Sequence, residues 1–291
     1  MKLPERLKKV FGIPDVKPPG SSPMSGEQVR NARTPIKHHS AADVAHYYNE
    51  WTERYLQGFG EVFQGARPDS TEELLNYIMS SARIENGQRI LDAGCGVCGP
   101  AIWFAEHFDV RIDAITISEV QVAEATKRIQ EKGLQDRITV RQGDFHRLSE
   151  YYPPDTFDRV LFLETLCHAE DYRPVLTEAR TVLKPYGFLY IKDYYCVDYR
   201  AWPEMRAQQQ PDLEELNRLY CLVMPDLPSI VDVISELGFD LVCMRHPTYT
   251  YSPAIWENFM RKSNQFWLPK MDPVRVIKTM EFLAMREPFA R

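Results

Sequence analysis

The sequence predicts an α/β protein built on a doubly wound, seven-stranded, mostly parallel sheet. Three observations carry that expectation. From about Ser70, short apolar segments alternate with amphipathic ones, a glycine-rich turn follows the first of the apolar segments, and the composition is that of an ordinary globular chain. The 291 residues are 44% hydrophobic and 26% charged, which excludes a disordered or fibrous chain. A net charge of −6 argues against a nucleic-acid partner, whose phosphates call for clustered Lys and Arg. No run approaches the roughly 18 apolar residues that cross a bilayer.

The elements follow in order. Residues 1–40 are rich in proline and polar side chains and read as a flexible N-terminal arm. Ser40 is an N-cap with Asp43 three residues on. Val44, Tyr47, Tyr48, Trp51 and Tyr55 then share one helical face, so residues 41–69 are expected to form an aromatic helical lid. Residues 70–291 hold the main domain, with a helical lid insertion at about 194–237. Its strands are expected at Gln88–Asp92, Arg111–Ile117, Ile138–Gln142, Asp158–Leu163, Phe188–Asp193, Asp240–Met244 and Thr248–Tyr251. Helices are expected at Glu72–Ala82, Gly99–Glu106, Glu119–Lys132, Tyr172–Leu183, Leu213–Leu222 and Leu227–Leu237. Strands spaced by helices in this way pair in parallel and are covered on both faces.

The six cysteines include one CxxC pair, Cys95 and Cys98, with no second pair or His set to complete a zinc site. The first ten residues lack the apolar run of a secretory signal, so a reducing, cytoplasmic setting is expected. Cys95 and Cys98 lie inside a glycine turn where small side chains suffice, which weakens a redox reading.

That turn, Asp92-Ala-Gly-Cys-Gly-Val-Cys-Gly99, places Gly94, Gly96 and Gly99 in GxGxxG spacing between a strand and a helix. Alone, the pattern admits a dinucleotide or S-adenosylmethionine. Asp92 favours the second, because a carboxylate at the strand end opposes a pyrophosphate and suits a ligand with a sulfonium and an ammonium. Asp113 lies 19 residues after Gly94, near the spacing of a dinucleotide's ribose-binding acid, but falls within a strand. After the third strand, Asp144 can accept from an adenine amino group and Phe145 can cover the ring.

Asp92-Ala-Gly-Cys-Gly96, Gly143-Asp144, Phe157-Asp158 and Leu183-Lys-Pro-Tyr-Gly-Phe188, in this order, resemble the motifs of class I S-adenosylmethionine-dependent methyltransferases. The resemblance covers residues 70–250 and implies the Rossmann-like form of the predicted sheet. Where most members carry an acid after the second strand, this chain reads Ala114-Ile-Thr-Ile-Ser-Glu-Val-Gln121. In this it resembles the branch of sterol, tocopherol and prenyl diphosphate C-methyltransferases and cyclopropane fatty-acid synthases. The resemblance implies that S-adenosylmethionine is held by Asp92, Gly94, Cys95, Gly96, Asp144, Phe145 and Leu163, with Thr116 and Gln121 on the sugar.

The stretch Glu164-Thr-Leu-Cys-His168 is similar to a glutamate-containing segment of sterol C-methyltransferases. This implies Glu164 as the base that deprotonates a methylated carbocation, with His168 as a second catalytic residue. A plainer alternative has Glu164 orienting the ammonium of the methyl donor. Tyr48, Trp51, Arg54, Tyr195, Trp202 and Tyr251 are expected to line a pocket for a hydrophobic isoprenoid, aromatic faces also favouring a buried cation. A diphosphate on that acceptor would call for Mg2+ and for cations such as Arg54, Arg261, Lys262, Lys270 and Arg275. No metal-ligand set stands out, and a second copy of the chain is a further expected partner. Three alternatives stay open: an O- or N-methyltransferase of small molecules, a donor-binding protein without transferase activity, and a dinucleotide oxidoreductase.

Overall fold

A computed structural model describes residues 39–68, 70–196, 203–247 and 277–288. Helix α1 (Ala41–Phe59) opens with a capping box. The Ser40 side chain accepts the Asp43 N–H, and the Asp43 carboxylate accepts the Ser40 N–H, satisfying two otherwise orphaned donors. Helix α2 (Thr71–Ser81) is capped by Ser70, whose side chain accepts the Glu73 N–H. The alternating core then runs β1 (Arg89–Ala93), α3 (Gly99–His107), β2 (Arg111–Thr116), α4 (Glu119–Glu131) and β3 (Ile138–Gln142). A short α5 (Leu148–Tyr151) leads to β4 (Phe157–Leu163), α6 (Tyr172–Val182) and β5 (Leu183–Cys196). Helices α7 (Pro203–Tyr220) and α8 (Leu227–Glu236) precede β6 (Phe239–Arg245) and β7 (Ile277–Arg286).

The seven strands form one sheet in the order β3-β2-β1-β4-β5-β7-β6. Strands β1 to β5 pair in parallel, while β7 runs antiparallel to both β5 and β6. One expectation is corrected here. The seventh strand comes from Ile277–Arg286, a segment not expected to be a strand, whereas Thr248–Tyr251 lies outside the described residues. Strand β5 also starts earlier than expected, at Leu183, with a register shift against β4 between Phe157 and Arg159.

Alternation along the strands sorts their side chains to two faces. Ile90, Leu161 and Tyr190 join the core under α2, α3 and α4. Leu91, Val160, Phe162 and Ile191 join the opposite core under α6 and α8. Both faces of the central strands are covered, and each fully buried Leu or Ile contributes about 1.5–3 kcal/mol. The chain steps outward from β1 to β2 and β3, then returns to the other side of β1 with β4. That reversal opens a crevice beyond the carboxyl ends of β1 and β4, where ligands bind in such sheets. Among the described residues, no helix is long and apolar enough to cross a membrane.

The loop after α1 crosses the start of α3 so closely that only glycine fits beneath it. A Cβ on Gly99 would stand 2.0 Å from the Glu61 carbonyl oxygen. Gly99→Ala is therefore expected to force the two backbones apart and to destabilise the fold by about 1–3 kcal/mol. The urea midpoint would fall with it; an unchanged midpoint would show that the loop does not rest on α3.

Candidate functional site

A cavity of about 850 Å³, partly open to solvent, lies at the carboxyl ends of β1 to β4. Its floor is the turn from β1 into α3. The Gly94 and Cys95 N–H groups both donate to the Ile115 carbonyl at the end of β2, at 2.9 and 3.0 Å, folding the turn under the cavity. Gly94 has φ +97°, and a Cβ there would meet Thr165 at 2.6 Å, so backbone forms the cavity wall.

Asp92, at the end of β1, is 2% exposed and lines this cavity. Its Oδ2 has no hydrogen-bond partner, and burial pushes its carboxyl up to about 7. A buried acceptor of this kind is costly unless a donor or cation arrives to meet it. Thr116, Gln121 and Ile117 line the neighbouring wall, the Thr116 hydroxyl donating to Gln121 Oε1 at 2.6 Å. The Gln121 N–H donates to Ser118 Oγ, whose hydroxyl donates to Asn49 Oδ1, tying α4 to α1.

Beyond β3, Asp144 accepts the His146 backbone N–H at 2.9 Å and its ring Nδ1–H at 2.6 Å. Burial alone would raise the Asp144 carboxyl, but the hydrogen bonds and charge of His146 outweigh it and hold the pKa below its usual value. Phe145 lines the cavity beside it, edge-on to Phe162. Leu163 completes this side.

Glu164 follows β4 with φ +60°, a left-handed backbone that costs a non-glycine residue about 1–2 kcal/mol. Four contacts hold it there. Its N–H donates to the Lys192 carbonyl at 2.7 Å. Oε1 accepts from the Lys192 ammonium, and Oε2 accepts from the Gly65 N–H at 2.7 Å and from the Tyr194 hydroxyl. Lys192, fully buried, also donates to Gln64 Oε1 at 2.8 Å. The loop after α1 is thus fastened to β4 and β5, with the Ala66 N–H donating to the Tyr194 oxygen at 3.1 Å.

His168 lines the same cavity. Its Nδ1–H must donate to the Cys221 carbonyl (3.0 Å), which leaves Nε2 as the acceptor for the Tyr48 hydroxyl at 2.7 Å. Burial lowers its pKa to about 4, so the ring is neutral at pH 7. Tyr48 and Phe63 supply aromatic lining from α1 and its loop. Burial and a hydrogen bond with Cys98 push the Cys95 thiol well up, the reverse of a reactive redox cysteine.

The remaining expected residues fall elsewhere. Arg54 is exposed and stacks 4.4 Å over Trp51, and neither belongs to the cavity lining among the described residues. Tyr195 points to the opposite face of β5, packing edge-on to Phe282, while Tyr194 faces the site. Trp202, Tyr251, Arg261, Lys262, Lys270 and Arg275 lie outside the described residues. Asp113 pairs with Arg89 at 2.8 Å and does not line the cavity. Gln64 and Lys192 are the residues that the sequence reading passed over, and of the two adjacent tyrosines it chose Tyr195 over Tyr194. Period-two alternation carried back from Tyr194 would have put Lys192 on its face.

Residues 91–191 match a family described as a methyltransferase domain. The chain is 27% identical over 229 residues to a sterol 24-C-methyltransferase of Pneumocystis carinii, the match covering 74% of this chain and 58% of that protein. It is 33% identical over 159 residues to the 27-O-demethylrifamycin SV methyltransferase of Amycolatopsis mediterranei, covering 55% of this chain and 58% of that one. A solved geranyl diphosphate methyltransferase shares the fold, with a TM-score of 0.63 and 16% identity over 84% of this chain and 99% of its own. The chain spans about half the length of the curated relatives it matches. Residues 91–191 form a class I methyltransferase domain of the S-adenosylmethionine-dependent kind, similar in sequence to sterol C-methyltransferases and in fold to a prenyl diphosphate methyltransferase.

The cavity fits that donor. Glu61, Asp92, Asp144 and Glu164 give it four carboxylates, which oppose a pyrophosphate and suit a cationic nucleoside. Among the described residues no group of three or more His, Cys, Asp or Glu is placed to hold a metal ion.

A cationic ligand meeting Asp92 must favour its ionised form. Affinity for S-adenosylhomocysteine, whose ammonium would meet it, is therefore expected to hold above pH 7. Below that it should fall by up to about tenfold per pH unit, as protonation of Asp92 competes. Calorimetry near pH 6 in buffers of different ionisation heat should register proton release on binding. Affinity independent of pH between 5 and 8 would place Asp92 out of contact with the ligand's charge.

Proposed function

We propose that the protein is an S-adenosylmethionine-dependent C-methyltransferase acting on an alkene carbon of an isoprenoid, either a prenyl diphosphate or a sterol-like lipid. The observation that carries this reading is Glu164: a carboxylate locked in orientation by Lys192, Tyr194 and Gly65, in a cavity that also exposes the Tyr48 and Phe63 rings. The C-methylating relatives support the choice of acceptor.

When bound, the donor supplies an electrophilic methyl group on a sulfonium. An alkene attacks with its π electrons and is left as a carbocation one carbon away. Here the chain's residues do three things. The Tyr48 and Phe63 rings offer electron-rich faces to that cation, worth about 0.5–2 kcal/mol each. Glu164 lowers its energy by charge and accepts the proton whose loss restores the double bond. Lys192 and Tyr194 fix where that carboxylate points. Helix α1 with its loop serves as a cover that keeps water from the cation.

A second reading is favoured by one feature. The neutral His168 Nε2, already accepting from Tyr48, could draw a proton through that hydroxyl from an acceptor O–H. This would give an O-methyltransferase, in line with the Amycolatopsis relative's name. A screen with a 13C-labelled methyl donor separates the two, because the label's chemical shift reports whether it ends on carbon or on oxygen.

Glu164→Gln is expected to lower kcat by at least about 100-fold while donor affinity stays within a few-fold. The substitution leaves Lys192 buried without its counter-charge, which destabilises by about 3–5 kcal/mol. The double variant Glu164→Gln with Lys192→Met should recover stability but not turnover. Near-normal kcat in either would remove Glu164 as the base.

A further inference from the structure

Gln64 is 2% exposed, lines the cavity, and has one end of its amide unused. An ammonium offers only donors, so Lys192 must face the amide oxygen, as it does at 2.8 Å. The orientation of the amide is therefore settled by chemistry, and Nε2 is the end left without a partner. A buried N–H pair with nothing to bind costs about 1–3 kcal/mol, and the ammonium polarises the amide into a stronger donor.

The loop that carries Gln64 is built to hold it still. Arg67 donates to the Val62 and Phe59 carbonyls at 2.9 and 3.2 Å. The Gly65 and Ala66 N–H groups are spent on Glu164 and Tyr194. Besides His146 Nε2 next to Asp144, the cavity lining thus holds two unpartnered buried polar atoms of opposite kind, Asp92 Oδ2 as acceptor and Gln64 Nε2 as polarised donor. One chemical group satisfies both: a zwitterionic α-amino acid, with its ammonium toward Asp92 and its carboxylate toward Gln64. The strand order agrees. Asp144 and Phe145 follow β3 and Thr116 ends β2, leaving the β1–β4 side for the end of the ligand away from the base and sugar.

Resting on the donor assigned above, we infer that Gln64 is a binding residue for the amino-acid carboxylate of the methyl donor. Gln64 is held in that role by Lys192, so donor binding and the orientation of Glu164 share one ammonium.

The test is a calorimetric titration of the full chain with S-adenosylhomocysteine and with its decarboxylated analogue, which keeps the ammonium, thioether, ribose and adenine. The unmodified protein should prefer the carboxylate-bearing ligand by about 10- to 100-fold, the strength of a hydrogen bond to a charged group. In Gln64→Met, the preference should shrink to within about threefold while affinity for the analogue is kept. Equal binding of the two ligands by the unmodified protein overturns the inference without needing the variant, and leaves the donor assignment standing. A preference that survives in Gln64→Met overturns it as well, and so does an equal loss for both ligands. If neither ligand binds the unmodified protein, the donor assignment itself fails and the role of Gln64 goes with it.

Discussion

One buried ion pair organises the functional end of this molecule. Lys192 lies in β5 with no exposed surface, and its ammonium is met by Glu164 after β4 and by Gln64 from the loop behind α1. Taking two charges out of water costs several kcal/mol per ion, and their attraction offsets this only when further hydrogen bonds complete both partners. Here Gly65, Tyr194 and Gln64 provide them. The arrangement fixes three elements to one another and leaves Glu164 with a defined direction and a strained backbone, the kind of outlier that over-determined surroundings can maintain.

A contrast in polarity runs through the cavity. Its acids suit a ligand that brings positive charge, while the imidazole of His168, desolvated and committed to Cys221 and Tyr48, adds no charge of its own. Fold alone would not decide the chemistry, since such sheets serve many reactions. What narrows it is the set of groups at the strand ends: an orphaned carboxylate at β1, a hydroxyl–amide pair at β2, an acid and a ring after β3, and a clamped glutamate after β4.

Much of this was legible in the sequence wherever the signal was local. The turn at Gly94, Gly96 and Gly99 is contiguous, and its glycines answer to the close approach of Ile115, Thr165 and Glu61. Ser40 and Asp43 announced the start of α1 because a capping box needs only four residues. The misses are non-local. Lys192 reads as a solvent-facing residue until Glu164 and Gln64, 28 and 128 residues away, are brought to it. Tyr194 and Tyr195 are adjacent and chemically alike, and only the phase of β5 against the two cores tells which faces the site. Strand β7 is rich in helix formers, Met280, Glu281, Leu283, Ala284 and Met285. It becomes a strand because β5 and β6 leave an open slot between them, where tertiary pairing overrides local propensity.

Every role assigned to these residues requires that the cleft beyond β1 receive an adenosyl ligand bearing positive charge and no phosphate. Parallel calorimetric titrations of the full chain with S-adenosylmethionine and with NAD address it most directly. Saturable binding of the sulfonium nucleoside is expected at micromolar concentration or tighter, about −8 kcal/mol, with no measurable heat from the dinucleotide. Binding of NAD, with S-adenosylmethionine ignored, would contradict it.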